Sequence, residues 1–204
     1  MKLIGSTTSP YVRRIRLLLA ERPYDFVNLD IYGAGRDELR RQNPALKIPM
    51  LIDGDQTVYD SRVIFRYLTA KLGLPSLDWD QENQLTLIDA ANDSFVTLLL
   101  SKRSGLDVEQ DAMFYRLQWE RVEKTLNALA EMARDGDFDD WNYPAMCLYC
   151  LVDWLDFREL LSGEARDTLL AFRDRHRRRD VVKTTDPRLA CVAGAFVVCY
   201  LIWK

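Results

Sequence analysis

Hydrophobic and polar positions follow two different rhythms along this chain, and the change between them divides it. Up to about residue 75 the apolar runs are short. Lys2-Leu3-Ile4-Gly5 is one, Tyr24-Asp25-Phe26-Val27-Asn28-Leu29 alternates polar and apolar, and Lys47-Ile48-Pro49-Met50-Leu51-Ile52 and Val58-Tyr59 flank the turn Asp53-Gly54-Asp55-Gln56. Runs of this length predict strands, the last two joined as a hairpin. Between the first two, Tyr11, Val12, Ile15, Leu18 and Leu19 recur on one face of a 3.6-residue period, with Pro10 placed for N1 and Pro23 ending the helix. Gly33-Ala34-Gly35 leads to a short second helix, and Arg62-Val63-Ile64-Phe65-Arg66-Tyr67-Leu68 has helical spacing behind Asp60 or Ser61 as N-cap. The predicted order is β-α-β-α-β-β-α. Pro49 is unusual at the opening of a central strand, because it lacks a ladder N–H; a cis bond that leaves the preceding backbone to a ligand is one reason to place it there.

The stretch 72–80 carries Gly73, Pro75, Ser76 and two aspartates and reads as a linker. Beyond it strand signals vanish. Apolar residues fall at helical spacing over 81–103 (Leu85, Ile88, Ala91, Phe95, Leu98, Leu99) and 108–134 (Tyr115, Trp119, Val122, Leu126, Leu129), with further helices predicted over 142–160 and 164–178. The division is thus an α/β domain at 1–75, an all-helical domain at 81–187, and a mostly apolar tail at 188–204. The tail's apolar run, 189–203, is shorter than the ~20 residues a membrane-spanning helix needs. It reads first as a packed helix, with a lid, a dimer contact or an interfacial anchor as alternatives.

Composition narrows the class. The 204 residues are 48% hydrophobic and 29% charged, as in a globular chain able to bury a core. A net charge of −3 argues against binding nucleic acid through bulk charge. No signal peptide is visible at the N-terminus, and the four cysteines (147, 150, 191 and 199) lie in apolar surroundings as reduced thiols would, which together imply the cytoplasm. Cys147-x-x-Cys150 sits in an apolar run where i and i+3 share a helix face, with no second pair or histidine at ligand spacing, so it reads as core and no metal is expected. The single histidine, His176, lies in a basic run (173–179) that suits a solvated helix C-terminus.

Several pieces taken together resemble a known family. Lys47-Ile48-Pro49-x-Leu51 with Asp60-Ser61 a dozen residues on resembles the glutathione site of cytosolic glutathione S-transferases, Ser9-Pro10-Tyr11-Val12-Arg13 resembles the first-helix entry of their serine- and cysteine-type members, and Asn43-Pro44 before the strand is a family habit. The resemblance covers roughly residues 1–187 and is strongest in the first 75. It implies a thioredoxin-like N-terminal domain followed by a C-terminal helical bundle, a homodimer, and detoxifying transfer of glutathione to a small electrophile.

Ser9 is a candidate N-cap, at the positive end of a helix dipole, where a thiol loses its proton more readily. The resemblance makes its hydroxyl the activator of the glutathione thiol, with Ser6, Thr7 and Thr8 as neighbouring candidates. It also implies that the Ile48 backbone pairs with the cysteinyl part while Pro49 holds the turn, that Asp60 and Ser61 receive the γ-glutamyl end, and that Lys47 meets the glycyl carboxylate. Glutathione is thus the expected co-substrate. Related glutaredoxins carry two cysteines at the Ser9 and Val12 positions, and their absence here excludes dithiol chemistry at this site. Two departures stand out. Asp60 replaces the glutamate of many relatives, and the third helix of the second domain opens on Asn142-Tyr143-Pro144-Ala145 without an acidic residue at N3. Two alternatives remain: a catalytically silent interaction module like the starvation-type proteins, and a glutathione-dependent disulfide or peroxide reductase.

Overall fold

The computed structural model describes residues 1–189; the tail expectation lies, from residue 190, outside the described residues. The chain forms two units, Met1–Ser76 joined by the segment from Arg179, and a second beginning at Leu77 and running to Arg178.

The first unit is built on a four-stranded mixed sheet in the order β2-β1-β3-β4, with β1 (Lys2–Gly5), β2 (Asp25–Asn28), β3 (Met50–Asp53) and β4 (Gln56–Tyr59). The β1–β2 pair is parallel and is connected through helix α1 (Pro10–Leu18); the other two pairs are antiparallel, β3–β4 through the expected hairpin. Ile4, Leu29, Leu39 and Met50 form a buried cluster against which Ile31, Ile48, Ile52 and Tyr59 pack. Helix α2 (Arg36–Gln42) contributes Leu39 to it, and α3 (Ser61–Leu72) buries Ile64, Phe65 and Leu68. Where α1 crosses β1 the Val12 side chain lies against Gly5: a Cβ on Gly5 would stand 2.4 Å from Val12 Cγ2. The predicted element order of this unit is the one observed.

The second unit contains α4 (Trp79–Arg103), α5 (Met113–Asp135), α6 (Tyr143–Phe157) and α7 (Arg166–His176). Asp78 and Gln81 close a capping box on α4. Helix α5 starts five residues later than its apolar spacing suggests, because Asp107 accepts from the Glu109 N–H and Val108 is held as a turn residue by Trp119 Nε1 on its carbonyl (3.1 Å). Helix α6 is buried along nearly its whole length, including Cys147 and Cys150, as a helix apolar on all sides should be.

Two further differences concern the basic run. His176 is not at a solvated end: it is 5% exposed, its ring 4.6 Å from Trp141 and 5.0 Å from Phe172. Arg173 pairs with Asp156 at 2.5 Å and Asp174 at 2.8 Å, which draws this face of α7 inward. After it comes a short helix absent from the sequence reading, α8 (Asp180–Thr184), which groups with the first unit although the helical domain was expected to run to 187. Arg13, buried on α1, donates to the Val182 carbonyl and to Thr185 Oγ1.

Candidate functional site

Strand register gathers the sequence-predicted residues at one end of the sheet. Ile4 pairs with Met50, Met50 with Tyr59, and Gly5 with Asn28. The segments continuing from those positions are therefore neighbours: 6–9 after β1, 47–49 before β3, and 60–61 after β4.

Ser9 is the N-cap of α1. Its backbone is extended (φ −84°, ψ 125°), and Val12 N–H donates to its Oγ at 3.3 Å. Pro10 follows at the first helical position, where its missing N–H costs nothing. The loop ahead is internally tied: Ser6 Oγ and Thr8 Oγ1 lie 3.1 Å apart, Thr8 N–H donates to Ser6 Oγ, and Thr7 N–H donates to Asn28 Oδ1 at 3.1 Å. Ser6 and Thr8 share one hydrogen bond, in which either oxygen could be the donor. Ser9 Oγ acts only as acceptor within the described residues, so its own O–H can be donated outward.

The Ile48–Pro49 bond is cis, and Pro49 lies just ahead of β3 rather than in it. Asn43, almost fully buried, organises this approach: its Nδ2 donates to the Lys47 carbonyl at 2.6 Å, and its Oδ1 accepts from Ala45 N–H at 2.9 Å. Ile48 is half-buried and Lys47 exposed. A ligand can thus meet the Ile48 backbone and a mobile ammonium beyond it.

Asp60, not Ser61, caps α3; its Oδ1 accepts from Arg62 N–H (2.8 Å) and Val63 N–H (3.4 Å). It does so with φ 68° and ψ 138°, a conformation that costs a residue with a Cβ about 1–3 kcal/mol. Ser61, the first helical residue, is buried, and Arg14 Nη1 donates to its Oγ at 3.5 Å. Arg14 and Asn43 were not among the sequence-predicted site residues. Arg14 had a visible signal: it is a charged residue inside the apolar stripe Tyr11, Ile15, Leu18, three residues from Tyr11 and four from Leu18. Among the described residues no group of three or more potential ligands could hold a metal ion, and no helix is long and apolar enough to cross a membrane.

This arrangement has counterparts. Residues 3–76, the sheet with α1 to α3, match the glutathione S-transferase N-terminal domain. The first unit is a glutathione S-transferase N-terminal domain. Outside that domain the likeness continues: a GST-like protein of Escherichia coli K12, YibF, described as uncharacterized, is 27% identical over 176 residues, 80% of this chain and 86% of its own. A glutathione S-transferase from Methylobacterium radiotolerans, solved in complex with glutathione sulfonate, is 26% identical with a TM-score of 0.77, covering 91% of this chain and 94% of its own. One from Methylobacillus flagellatus, solved with glutathione bound, has a TM-score of 0.78 at 24% identity, over 91% of this chain and 98% of its own; at that identity it speaks for the fold alone. The chain shares the thioredoxin-like first unit and helical second unit with these structures.

Proposed function

We propose that the chain is a glutathione transferase, binding glutathione on its first unit and presenting the thiolate to a small electrophile. The observation that carries this reading is the pairing at Ser9: an N-cap oxygen satisfied by Val12 N–H, with an O–H still to give. A free cysteine thiol has a pKa of about 8.5. At a helix N-terminus, and accepting a hydrogen bond from Ser9 Oγ–H, the sulfur is stabilised as thiolate. It then attacks the electrophilic carbon, forming the C–S bond while the leaving group departs with the bonding pair.

The rest of the tripeptide follows the register. Its cysteinyl amide pairs with the Ile48 backbone as an added strand does. The γ-glutamyl carboxylate meets Ser61 Oγ and the N-terminus of α3, the amine meets Asp60, and the glycyl carboxylate meets Lys47. On the family resemblance we assign the enzyme to the cytoplasm as a homodimer with a detoxifying role.

The test is a calorimetric titration of glutathione into wild type and Ser9→Ala, with ultraviolet thiolate absorbance recorded on both complexes. Wild type binds and shows thiolate; Ser9→Ala binds with much less thiolate. Equal thiolate in both sinks Ser9 as activator, and no binding to wild type sinks the reading. Turnover of an aryl halide beside a disulfide substrate separates transferase from reductase.

A further inference from the structure

We infer that Asn28 is a positioning residue for Ser9, acting through the loop 6–9, an inference that rests on the glutathione reading above. Strand β2 lies at the edge of the sheet and pairs only with β1, Gly5 standing opposite Asn28. Leu29 N–H donates to the Gly5 carbonyl at 2.9 Å. A regular parallel ladder would continue with Thr7 N–H donating to the Leu29 carbonyl. Here the two chains part, one into the loop before α1 and the other into the turn in which Asp30 Oδ1 accepts from Tyr32 and Gly33 N–H. Thr7 N–H goes instead to Oδ1 of Asn28 at 3.1 Å, so a side-chain amide supplies the bond that the strand no longer can.

This bond ties the loop to the sheet. The next two N–H groups turn inward, Thr8 N–H to Ser6 Oγ at 3.4 Å and Ser9 N–H to the Ser6 carbonyl at 3.1 Å. Ser9 is thus held from two sides, by Val12 N–H on its Oγ from the helix and by Thr7 through the loop. As an N-cap its backbone is extended, so the helix ladder does not fix it. The loop sets that conformation, and with it the direction in which the Oγ–H is given. A donor that wanders spends less time on a sulfur, and a thiolate stabilised for less of the time has a higher pKa. Asn28 itself is exposed, where water competes for the bond and its contribution to overall stability is small. Its effect therefore falls on the thiol rather than on the melting temperature.

Ultraviolet thiolate absorbance, followed against pH on the glutathione complexes, tests the inference. The proteins are wild type, Asn28→Ala, Asn28→Asp, Ser9→Ala and the double variant Ser9→Ala/Asn28→Ala, each first shown by thermal melting to be folded. Asn28→Ala is expected to raise the thiol pKa by about half a pH unit, roughly a threefold loss of thiolate preference. It binds S-methylglutathione, which has no thiol to ionise, as wild type does. Asn28→Asp keeps an acceptor of the same length; at about 1 M salt, where charges are screened beyond about 3 Å, it returns the wild-type pKa. In the Ser9→Ala background Asn28→Ala adds nothing, because the two residues act in series. An unchanged pKa in Asn28→Ala, an equal rise with the Ser9 hydroxyl already removed, or an equally weakened S-methylglutathione overturns the inference and leaves the glutathione reading standing. A Ser9→Ala complex that keeps the wild-type pKa overturns Ser9 as activator and the inference with it. A wild type that binds no glutathione overturns the glutathione reading as well.

Discussion

Arg13 Nη2 donates to the Val182 carbonyl at 3.0 Å, joining the first helix of the chain to α8, more than a hundred and sixty residues on (|i−j| 169). The same guanidinium gives its Nε–H to Thr185 Oγ1 at 3.3 Å, and Arg13 is 3% exposed. Hydrogen bonds from a charged donor in such a setting contribute about 1.5–3 kcal/mol each. Arg13→Met is expected to lower unfolding free energy by about 2–3 kcal/mol in urea, and Thr185→Val by about 1 kcal/mol. A change below about 0.5 kcal/mol for Arg13→Met would show that this tie adds nothing to the first unit.

Gly5 sets how closely α1 lies on β1. A Cβ there meets Val12 Cγ2 at 2.4 Å, so Gly5→Ala must displace the helix that Ser9 caps. Overpacking of this kind costs about 1–3 kcal/mol. The double variant Gly5→Ala/Val12→Ala removes the clashing methyls. It should regain much of the glutathione affinity lost in the single variant, read by titration; no recovery would place the defect elsewhere.

Asp53, at the end of β3, accepts from Tyr67 Oη (2.7 Å) and from Lys71 Nζ, both on α3. The Lys71 bond, then the Tyr67 bond, hold the Asp53 carboxyl below its ordinary value, while bonding to Asp53 pushes Tyr67 and Lys71 up. A depressed carboxyl contributes stability that is complete above the unfolded pKa of about 3.9 and is lost as pH falls through the lower folded value. Lys71 and Tyr67, raised, contribute stability that is complete below about pH 10 and is lost as pH rises through their folded values. The gap in urea midpoint between wild type and Asp53→Asn should therefore be widest at intermediate pH and narrow at both extremes. A gap that stays constant from acid to alkali would mean the three groups are not coupled.

Asn142 caps α6 alone, its Oδ1 accepting from Ala145 N–H at 3.0 Å. The missing acidic residue at N3 has a packing reason: Ala145 is fully buried, and a carboxylate there would lose its hydration. Asn142→Ala is expected to cost about 1 kcal/mol of stability in thermal or urea unfolding. An unchanged midpoint would mean that Pro144 and the packing of α6 suffice to start the helix.

Legibility in the sequence followed the range of the interactions. The sheet, α1 and α3 were readable because alternation, Pro10, the hairpin turn and the cap at Asp60-Ser61 are all local signals. Ser9 and Asp60 could be read as helix caps for the same reason, whereas the role expected of Ile48 came from the family resemblance alone. Arg13 and Arg14 could not be assigned partners, since Val182 and Ser61 are brought to them only by the folded chain. Helix α8 has five residues and no apolar period to announce it. His176 looked solvated because its neighbours in sequence are arginines, whereas its neighbours in space are Trp141 and Phe172.

Asp60 occupies a backbone conformation (φ 68°) in which glycine would be at ease. Glycine also serves as an N-cap at a loss of only a few tenths of a kcal/mol. A laboratory selection that rewards heat resistance alone should therefore drift toward Asp60→Gly, shedding strain together with the carboxylate assigned to the ligand's amine. The most thermostable descendants of this chain would be the ones that have lost the proposed tripeptide site.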